Sequence, residues 1–246
     1  MTTLAVISDI HGNILALREV VADIERKGIT SVVNLGDNLS GPLWPKETAA
    51  FLFRQQWVQI AGNHDRTMAF QDPATLGASD AFALDGLAPA EHIWLKQLPS
   101  TTRLHDEILI FHGTPASDSE YFLESVDHGR GRLATREEVK HRLSGASAPV
   151  MLCGHTHIQR VVESDDGILI VNPGSVGLPA FDDELPEPHV MESGSPHARY
   201  AILEGSGKTW TASLISVPYD SHGAAEQARK NGRAEWARAL ETGFMS

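Results

Sequence analysis

The sequence is poor in cysteine and in long apolar segments. Its 246 residues include one cysteine, Cys153, which excludes an internal disulfide and a metal site built from several thiolates. No apolar run approaches the ~18 residues that cross a bilayer. The first residues, MTTLAVISDIHGN, lack the basic region and small-residue cleavage site of a signal peptide. We therefore expect a cytoplasmic protein without a membrane partner.

Basic residues are also scarce. Lys and Arg number 20 against 32 Asp and Glu, which gives a net charge of -12. Such a chain is not expected to bind nucleic acid through loose contacts to phosphates, which need a basic surface. Hydrophobic residues make up 41%, too many for a disordered chain. The composition is that of a folded globular protein.

Short apolar runs bounded by Gly, Pro, Asn or Asp predict eight buried strands. They lie at 4–8, 31–35, 57–61, 108–111, 150–153, 168–171, 200–203 and 210–217. Helical spacing, a proline start or a Thr-x-x-Glu capping box predicts helices at 14–27, 45–56, 89–98 and 135–143. The alternation predicts a mainly parallel sheet covered by helices. The last three strands, without long helices between them, predict a second, more antiparallel sheet.

The remaining segments carry weaker signals. Residues 114–131 read as a loop or a small cap, and a cap insertion would extend over 114–147. Residues 181–197 are acidic and Pro-rich and predict a long exposed loop; the alternative, a lid using His189 and His197, is less favoured. Residues 221–246 predict a surface helix. We expect one domain over 1–246, with its motif-bearing core in 1–176.

Five short polar motifs each lie where a predicted strand ends. Loops beyond the carboxyl ends of strands line the ligand crevice of an open α/β sheet. The motifs are Asp9-Ile10-His11-Gly12-Asn13, Gly36-Asp37-Asn38, Gly62-Asn63-His64-Asp65, His112-Gly113 and Gly154-His155-Thr156-His157. Taken singly, the first four are ordinary caps, turns or buried histidines. Taken in order, they bring three carboxylates, an amide and five imidazoles to one edge.

Such a cluster is unfavourable without a cation, because desolvation and repulsion cost several kcal/mol. Carboxylate, amide oxygen and imidazole are the ligands of manganese, iron, zinc or nickel. One or two such ions are therefore expected at this edge.

The ordered set DxH, GD, GNHD, HG and GHTH, at 9–11, 36–37, 62–65, 112–113 and 154–157, resembles the signature of the calcineurin-like metallophosphoesterases. The run NPGSV at 172–176 is similar to the turn after the last motif in bacterial members. The resemblance covers residues 4 to 176. It implies an α/β fold: a four-layer αββα sandwich of two mixed β-sheets flanked by helices.

The resemblance also implies roles for individual residues. One metal would bind Asp9, His11, Asp37 and His157, and a second would bind Asp37, Asn63, His112 and His155, with the Asp37 carboxylate shared. Two ions about 3.5–4 Å apart bind phosphoryl oxygens and a bridging hydroxide, which attacks phosphorus in line with the leaving group. His64 resembles the catalytic histidine, which stabilises charge or protonates the leaving oxygen.

Two departures from the family pattern weaken a protein-phosphatase interpretation. Those members continue as GDxxDRG, whereas Ser40 stands here in place of the second Asp and Gly41 in place of the Arg. The partner that orients His64 is therefore left open. Arg66 has two interpretations, a phosphate contact or a solvated surface arginine.

The sequence favours a dinuclear phosphodiesterase acting on a small-molecule or nucleotide-type phosphate ester. The alternatives are a phosphomonoesterase, a protein or dinucleoside-polyphosphate phosphatase, and a non-catalytic metal-binding scaffold of the same fold. A mononuclear zinc hydrolase of another fold is disfavoured, because no His-Glu-x-x-His is present and seven ligands exceed what one zinc uses. The natural substrate, the native metals and any homo-oligomer are left open.

Overall fold

The computed structural model describes residues 2–207 and 209–246 of the chain. These residues form fourteen strands and eight α-helices. The strands are β1 (Thr2–Ile7), β2 (Val32–Asn34), β3 (Val58–Gln59), β4 (Thr101–Leu104), β5 (Ile108–Phe111), β6 (Glu124–Asp127), β7 (Arg130–Leu133), β8 (Val150–Leu152), β9 (Arg160–Glu163), β10 (Leu169–Asn172), β11 (Ala180–Asp183), β12 (His189–Glu192), β13 (Ala198–Ser206) and β14 (Thr209–Val217). The helices are α1 (Ile14–Arg26), α2 (Pro45–Leu52), α3 (Asn63–Phe70), α4 (Ala78–Asp85), α5 (Pro89–Gln97), α6 (Arg136–Arg142), α7 (Ser221–Lys230) and α8 (Ala234–Thr242).

Two five-stranded sheets form the centre of the molecule. The first has the order β14-β13-β1-β2-β3, and the second has the order β4-β5-β8-β10-β9. Strands β1, β2 and β3 run parallel in the first sheet, as β5, β8 and β10 do in the second. Strands β13, β14, β4 and β9 are antiparallel to their neighbours. Both sheets are therefore mixed.

Strand alternation explains how the sheets stack. Leu4 and Val6 of β1 face the second sheet and pack with its Ile110 and Leu152, because alternate side chains of a strand point to opposite faces. Ala5 and Ile7 face the other way, into a cluster with apolar residues of α1, α2 and α3. Helix α6 covers the outer face of the second sheet in the same manner. The predicted four-layer αββα sandwich is confirmed.

The assignment of strands to sheets differs from the sequence prediction in one respect. Strand β10 lies in the second sheet, whereas β13 and β14 extend the first sheet as an antiparallel hairpin beside β1. The last three strands do not form a sheet of their own. The hairpin pairs with the side of β1 that β2 leaves open, so β1 lies inside the sheet and β14 and β3 form its edges.

A small third sheet, with the order β11-β12-β7-β6, was not predicted. The prediction of a long exposed loop at 181–197 is wrong, because β11 and β12 pair there and β12 joins β7 at Val190 and Arg130. His189 is buried as a result. Strands β6 and β7 form a hairpin within 114–147. The pairing links segments about 60 residues apart, which local composition does not reveal.

The C-terminal segment contains two helices, α7 and α8, where one surface helix was predicted. Gly232 has a φ of 76° and separates them. Their alanine-rich inner faces and Trp236 form an apolar cluster with Leu43 and Leu178. No helix among the described residues has the length and apolar character needed to span a membrane. The domain prediction for 1–246 includes Met1 and Lys208, which lie outside the described residues, and it stays a prediction.

Candidate metal centre

All seven predicted ligand residues come from the carboxyl ends of parallel strands. Asp9 and His11 follow β1, Asp37 follows β2, and Asn63 begins α3 after β3. From the second sheet, His112 follows β5, while His155 and His157 follow β8. Six of the seven form two groups whose ligand atoms lie within 4.8 Å of one another: Asp9, His11 and His157, and Asp37, His112 and His155.

The backbone at these strand ends has an uncommon conformation. Five of the predicted ligand residues have positive φ angles: Asp9 (55°), His11 (51°), Asp37 (53°), His155 (69°) and His157 (60°). Residues other than glycine rarely adopt this left-handed region, and such strain concentrates at functional sites. The sharp turns direct several donor side chains from neighbouring strands toward one point.

Three imidazoles are fixed by backbone carbonyls. Nδ1 of His11 donates to the Ser40 carbonyl (2.9 Å), and Nδ1 of His157 donates to the Leu178 carbonyl (2.7 Å). Nδ1 of His112 donates to the Leu35 carbonyl (2.8 Å). A carbonyl can only accept, so in the neutral rings Nε2 keeps its lone pair. This arrangement is typical of histidines that ligate metals.

The lone pairs left at the centre fit a cation. Nε2 of His11 and Nε2 of His157 lie 3.1 Å apart, although both are acceptors in the tautomer that the carbonyls select. Nε2 of His112 lies 3.1 Å from Oδ2 of Asp37, yet neither it nor the buried Oδ1 of Asn63 has a hydrogen-bond partner among the described residues. Buried acceptors without partners are costly, and divalent ions satisfy this donor set.

Two buried carboxylates lie between the imidazoles. Oδ1 and Oδ2 of Asp9 accept the backbone N–H of His155 at 3.3 and 3.2 Å, and Oδ1 of Asp37 accepts that of His64 at 3.0 Å. Burial raises the pKa of a carboxyl, but the interactions with His157 beside Asp9 and with His112 beside Asp37 outweigh burial and hold the pKa of both aspartates below its usual value. Both side chains are thus suited to bind cations as carboxylates.

Glycine is required at the start of α3. A Cβ at Gly62 would lie 2.2 Å from Oδ1 of Asp37, so any other residue would displace that carboxylate. Asp65 fixes the same turn, because its carboxylate accepts the N–H of Gly62 (3.0 Å) and the side-chain amide of Asn38 (2.8 Å). Burial and the charge of Asp37 raise the pKa of Asp65 to about 7. Asp65 therefore supports the loop that presents Asn63.

His64 is held by an aspartate that sequence reasoning missed. Nδ1 of His64 lies 2.8 Å from Oδ1 of Asp80, whose side chain is 7% exposed, whereas that of His64 is 36% exposed. Burial lowers the pKa of the imidazole, but the charge of Asp37 and the hydrogen bond to Asp80 outweigh it and raise the pKa of His64 to about 9. Asp80 thus supplies the partner that Ser40 cannot.

The turn at 172–176 stabilises the motif at 154–157 through hydrogen bonds. The Asn172 side-chain amide donates to the Gly154 carbonyl (2.8 Å) and to Oγ1 of Thr156 (3.0 Å). Oγ of Ser175 donates to the carbonyl of Asp9 (2.7 Å). The turn therefore ties the loop after β8 to the loop after β1.

A cleft of about 450 Å³ opens beside the two groups and is lined by His11, Asp37, Asn63 and His64 on one wall. A second wall comes from β11 and from α8 with the residue before it, and it includes Phe181, Arg233 and Trp236. A second opening of about 670 Å³ reaches Asn63 and His155 from the β6–β7 side and includes Tyr121. The Tyr121 ring lies 4.9 Å from that of His155, and its hydroxyl donates to Nε2 of His189 (2.9 Å).

Arg66 does not line either opening, although sequence reasoning offered it as a phosphate contact. Its guanidinium forms a bidentate ion pair with Asp118, with an Nη2–Oδ1 distance of 3.0 Å. The bond joins α3 to the segment after β5. This geometry favours a structural role for Arg66 over a phosphate contact.

Comparison with known proteins agrees with this architecture. Residues 2–191 match the calcineurin-like phosphoesterase superfamily domain. The uncharacterized protein MJ0912 of Methanocaldococcus jannaschii is 25% identical over 95% of this chain and 94% of its own length. A metallophosphoesterase from Sphaerobacter thermophilus has a similar structure, with a TM-score of 0.75, 22% identity and 99% of each chain covered. The hypothetical protein PH1004 from Pyrococcus horikoshii superposes with a TM-score of 0.75 and 18% identity over 100% of both chains.

The fold and the paired donor groups define a metal-dependent hydrolase of phosphate esters. The chain belongs to the calcineurin-like phosphoesterase superfamily. The resemblance noted in the sequence is thereby confirmed at the level of family and fold. The assignment of each ligand to a particular ion, and the role of His64, stay predictions.

Proposed function

We propose that this protein is a dinuclear phosphodiesterase that hydrolyses small or nucleotide-type phosphate esters. The observation that carries the proposal is the pair of buried donor groups, each with two imidazoles and a carboxylate within 4.8 Å, at the head of one cleft. Asp9, His11, Asp37 and His157 would hold one ion, and Asp37, Asn63, His112 and His155 the other. Two divalent ions of the manganese, iron, zinc or nickel class bind phosphoryl oxygens and activate water.

The chain's own groups complete the chemistry. His64 lies at the head of the cleft with Nδ1 bound to Asp80, which leaves Nε2 to face the substrate. From there the ring can stabilise charge on a phosphoryl oxygen or give its Nε2 proton to the leaving oxygen. Asp80 fixes the ring plane and stabilises the protonated ring. Asp9 and Asp37 stay fixed through the backbone N–H groups of His155 and His64.

The proposed substrate range follows from the residue at position 41 and from the net charge. Gly41 offers no guanidinium where protein-phosphatase relatives carry Arg, which disfavours a phosphoprotein substrate. The net charge of -12 disfavours long nucleic acids. A small diester in the cytoplasm fits both observations. A non-catalytic scaffold would not need a buried carboxylate, such as that of Asp80, to orient the His64 ring.

The proposal is tested by returning metals to stripped protein. Mn²⁺, Ni²⁺, Zn²⁺ and Fe²⁺ are added back separately, and hydrolysis of bis-p-nitrophenyl phosphate is measured beside p-nitrophenyl phosphate. We expect metal-dependent release from the diester, with two ions bound per chain by elemental analysis. Release from the monoester alone would establish a phosphomonoesterase instead. Two bound ions without turnover of either compound would support the scaffold.

A further inference from the structure

One arginine lines the cleft that opens beside the candidate metal centre. Arg233 is the sole lysine or arginine lining this cleft within residues 2–207 and 209–246. Its Nη1 donates to Oγ of Ser79 (3.0 Å), its Nε pairs with Glu235, and its Cζ lies 5.7 Å from the centroid of the Trp236 ring. The side chain is 24% exposed. These contacts fix a guanidinium that is mobile in an ordinary surface arginine.

The first turn of α4 positions both Arg233 and His64. Ser79 and Asp80 are consecutive residues of α4; the first accepts from Arg233 and the second holds His64. Arg233 makes no hydrogen bond or ion pair with a predicted metal ligand among the described residues. Its guanidinium therefore keeps a fixed place beside the α4 residues that hold His64.

Apart from His64 and the candidate metal centre, the described residues that line this cleft offer no other positive charge. The Arg66 guanidinium is bound to Asp118. A Cβ at Gly41 would lie 2.6 Å from Cη2 of Trp236, so the α8 tryptophan occupies the space that a side chain there would need. Asp182, Asp183 and Glu235 also line the cleft. Away from the candidate metal centre and His64, these carboxylates repel an anionic group, and Arg233 is the place in this cleft where a second anionic group can bind.

We propose that Arg233 binds a second anionic group of the substrate, a carboxylate or phosphoryl group separate from the ester that is cleaved. The inference rests on the proposed phosphodiesterase function. Two of the five guanidinium N–H groups are accounted for by Ser79 and Glu235, and the rest can donate to an oxyanion. Phe181 and Trp236 supply apolar surface for the part of the substrate that joins the two anionic groups.

The test compares matched diesters. One is p-nitrophenyl ethyl phosphate; the others are p-nitrophenyl alkyl phosphates that end in a carboxylate after two, three or four methylene groups. We expect the metal-loaded wild-type enzyme to hydrolyse at least one carboxylated ester with a kcat/KM about tenfold or more above that of the ethyl ester. This ratio corresponds to the free energy of a hydrogen bond between charged groups. Arg233→Ala should lose that preference through a higher KM for the carboxylated ester, and the ethyl ester reports any general change in rate against which the preference is calculated.

Three further variants sharpen the result. Arg238→Ala removes an exposed arginine from α8, the helix that begins directly after Arg233, and should keep the preference. Arg233→Lys keeps the positive charge but lacks the planar, paired donors of the guanidinium, and it should retain part of the preference. Glu235→Gln removes the competing carboxylate and should lower KM for the preferred carboxylated ester. Equal preference in wild type and Arg233→Ala, with both esters hydrolysed, would overturn the role of Arg233 alone. Failure of the wild type on every ester would overturn the proposed function.

Discussion

The two walls of the cleft are built in different ways. The wall that carries the candidate ligands consists of short turns at the ends of adjacent parallel strands, with five left-handed residues and side chains tied to backbone atoms. The second wall comes from β11 and α8, which are remote in sequence from the motifs. The first wall supplies metal-binding chemistry that is encoded locally. The second wall supplies shape and charge, and it depends on tertiary packing.

The largest effect is expected from Asp37→Asn on the first wall. Asp37 lies beside His112 and beneath the N-terminus of α3, and it is the predicted shared ligand of both ions. Loss of its charge should reduce the metal content from two ions to none or one. Turnover should fall by more than about 10⁴-fold, beyond the loss of a general acid alone. Elemental analysis and bis-p-nitrophenyl phosphate hydrolysis measure both quantities.

Asp166→Asn is the matched control for this change, because Asp166 is exposed in the turn between β9 and β10. It should leave metal content and turnover as they are. An Asp37→Asn protein that keeps two ions and normal rates would show that Asp37 does not join the two sites.

The next largest effect is expected at the Asp80–His64 pair, which connects the first wall to α4. His64→Ala should cut turnover by about 10²–10⁴ with both ions retained. Asp80→Asn should cut turnover by about 10- to 100-fold, which corresponds to the free energy of one hydrogen bond to a charged partner. If Asp80 acts through His64, the double variant should be no slower than His64→Ala alone.

Asp85→Asn changes an exposed residue of the same helix and controls for the charge of α4. Multiplicative losses in the Asp80 and His64 double variant would mean that Asp80 contributes independently of the imidazole. Metal content measured in parallel separates a loss of positioning from a loss of ions.

Most of the first wall could be predicted from the sequence. Each motif follows an apolar strand directly, so position in the chain determines position at the sheet edge. Asp80 could not be found in this way. It is the third residue of α4, where an acidic side chain is typical of any helix N-terminus. Its approach to His64 depends on how α4 packs against α3, which the sequence pattern does not specify.

The second wall was predicted poorly for a related reason. The 181–197 segment is rich in Asp, Glu and Pro and resembles a loop, yet β12 pairs with β7, whose sequence is equally polar. The C-terminal segment shows few large apolar residues, because α7 and α8 pack through alanines. Neither signal is visible in hydrophobic periodicity. Arg233 and Trp236 could be assigned to the cleft only after these elements were placed.

The smallest effect tests whether the two walls are separate cooperative units. Oδ1 of Asp220 caps α7 by accepting the N–H of Gly223 at 2.8 Å, so Asp220→Ala should lower the free energy of unfolding by about 1 kcal/mol. Thr135 caps α6 in the same way, through the N–H of Glu138 at 3.2 Å, and Thr135→Ala is the control on the far side of the second sheet.

Hydrogen exchange then distinguishes local unfolding of the helix pair from global unfolding of the chain. If the C-terminal helices open as a unit, Asp220→Ala should reduce amide protection in α7 and α8 and leave β1 and β8 protected. Thr135→Ala should reduce protection in α6 instead, and neither variant should change turnover of p-nitrophenyl ethyl phosphate. Protection lost evenly across the sheets and the helix pair would show that both walls unfold together. In that case substitutions on the second wall would also weaken metal binding, and the division between local chemistry and remote specificity would not hold.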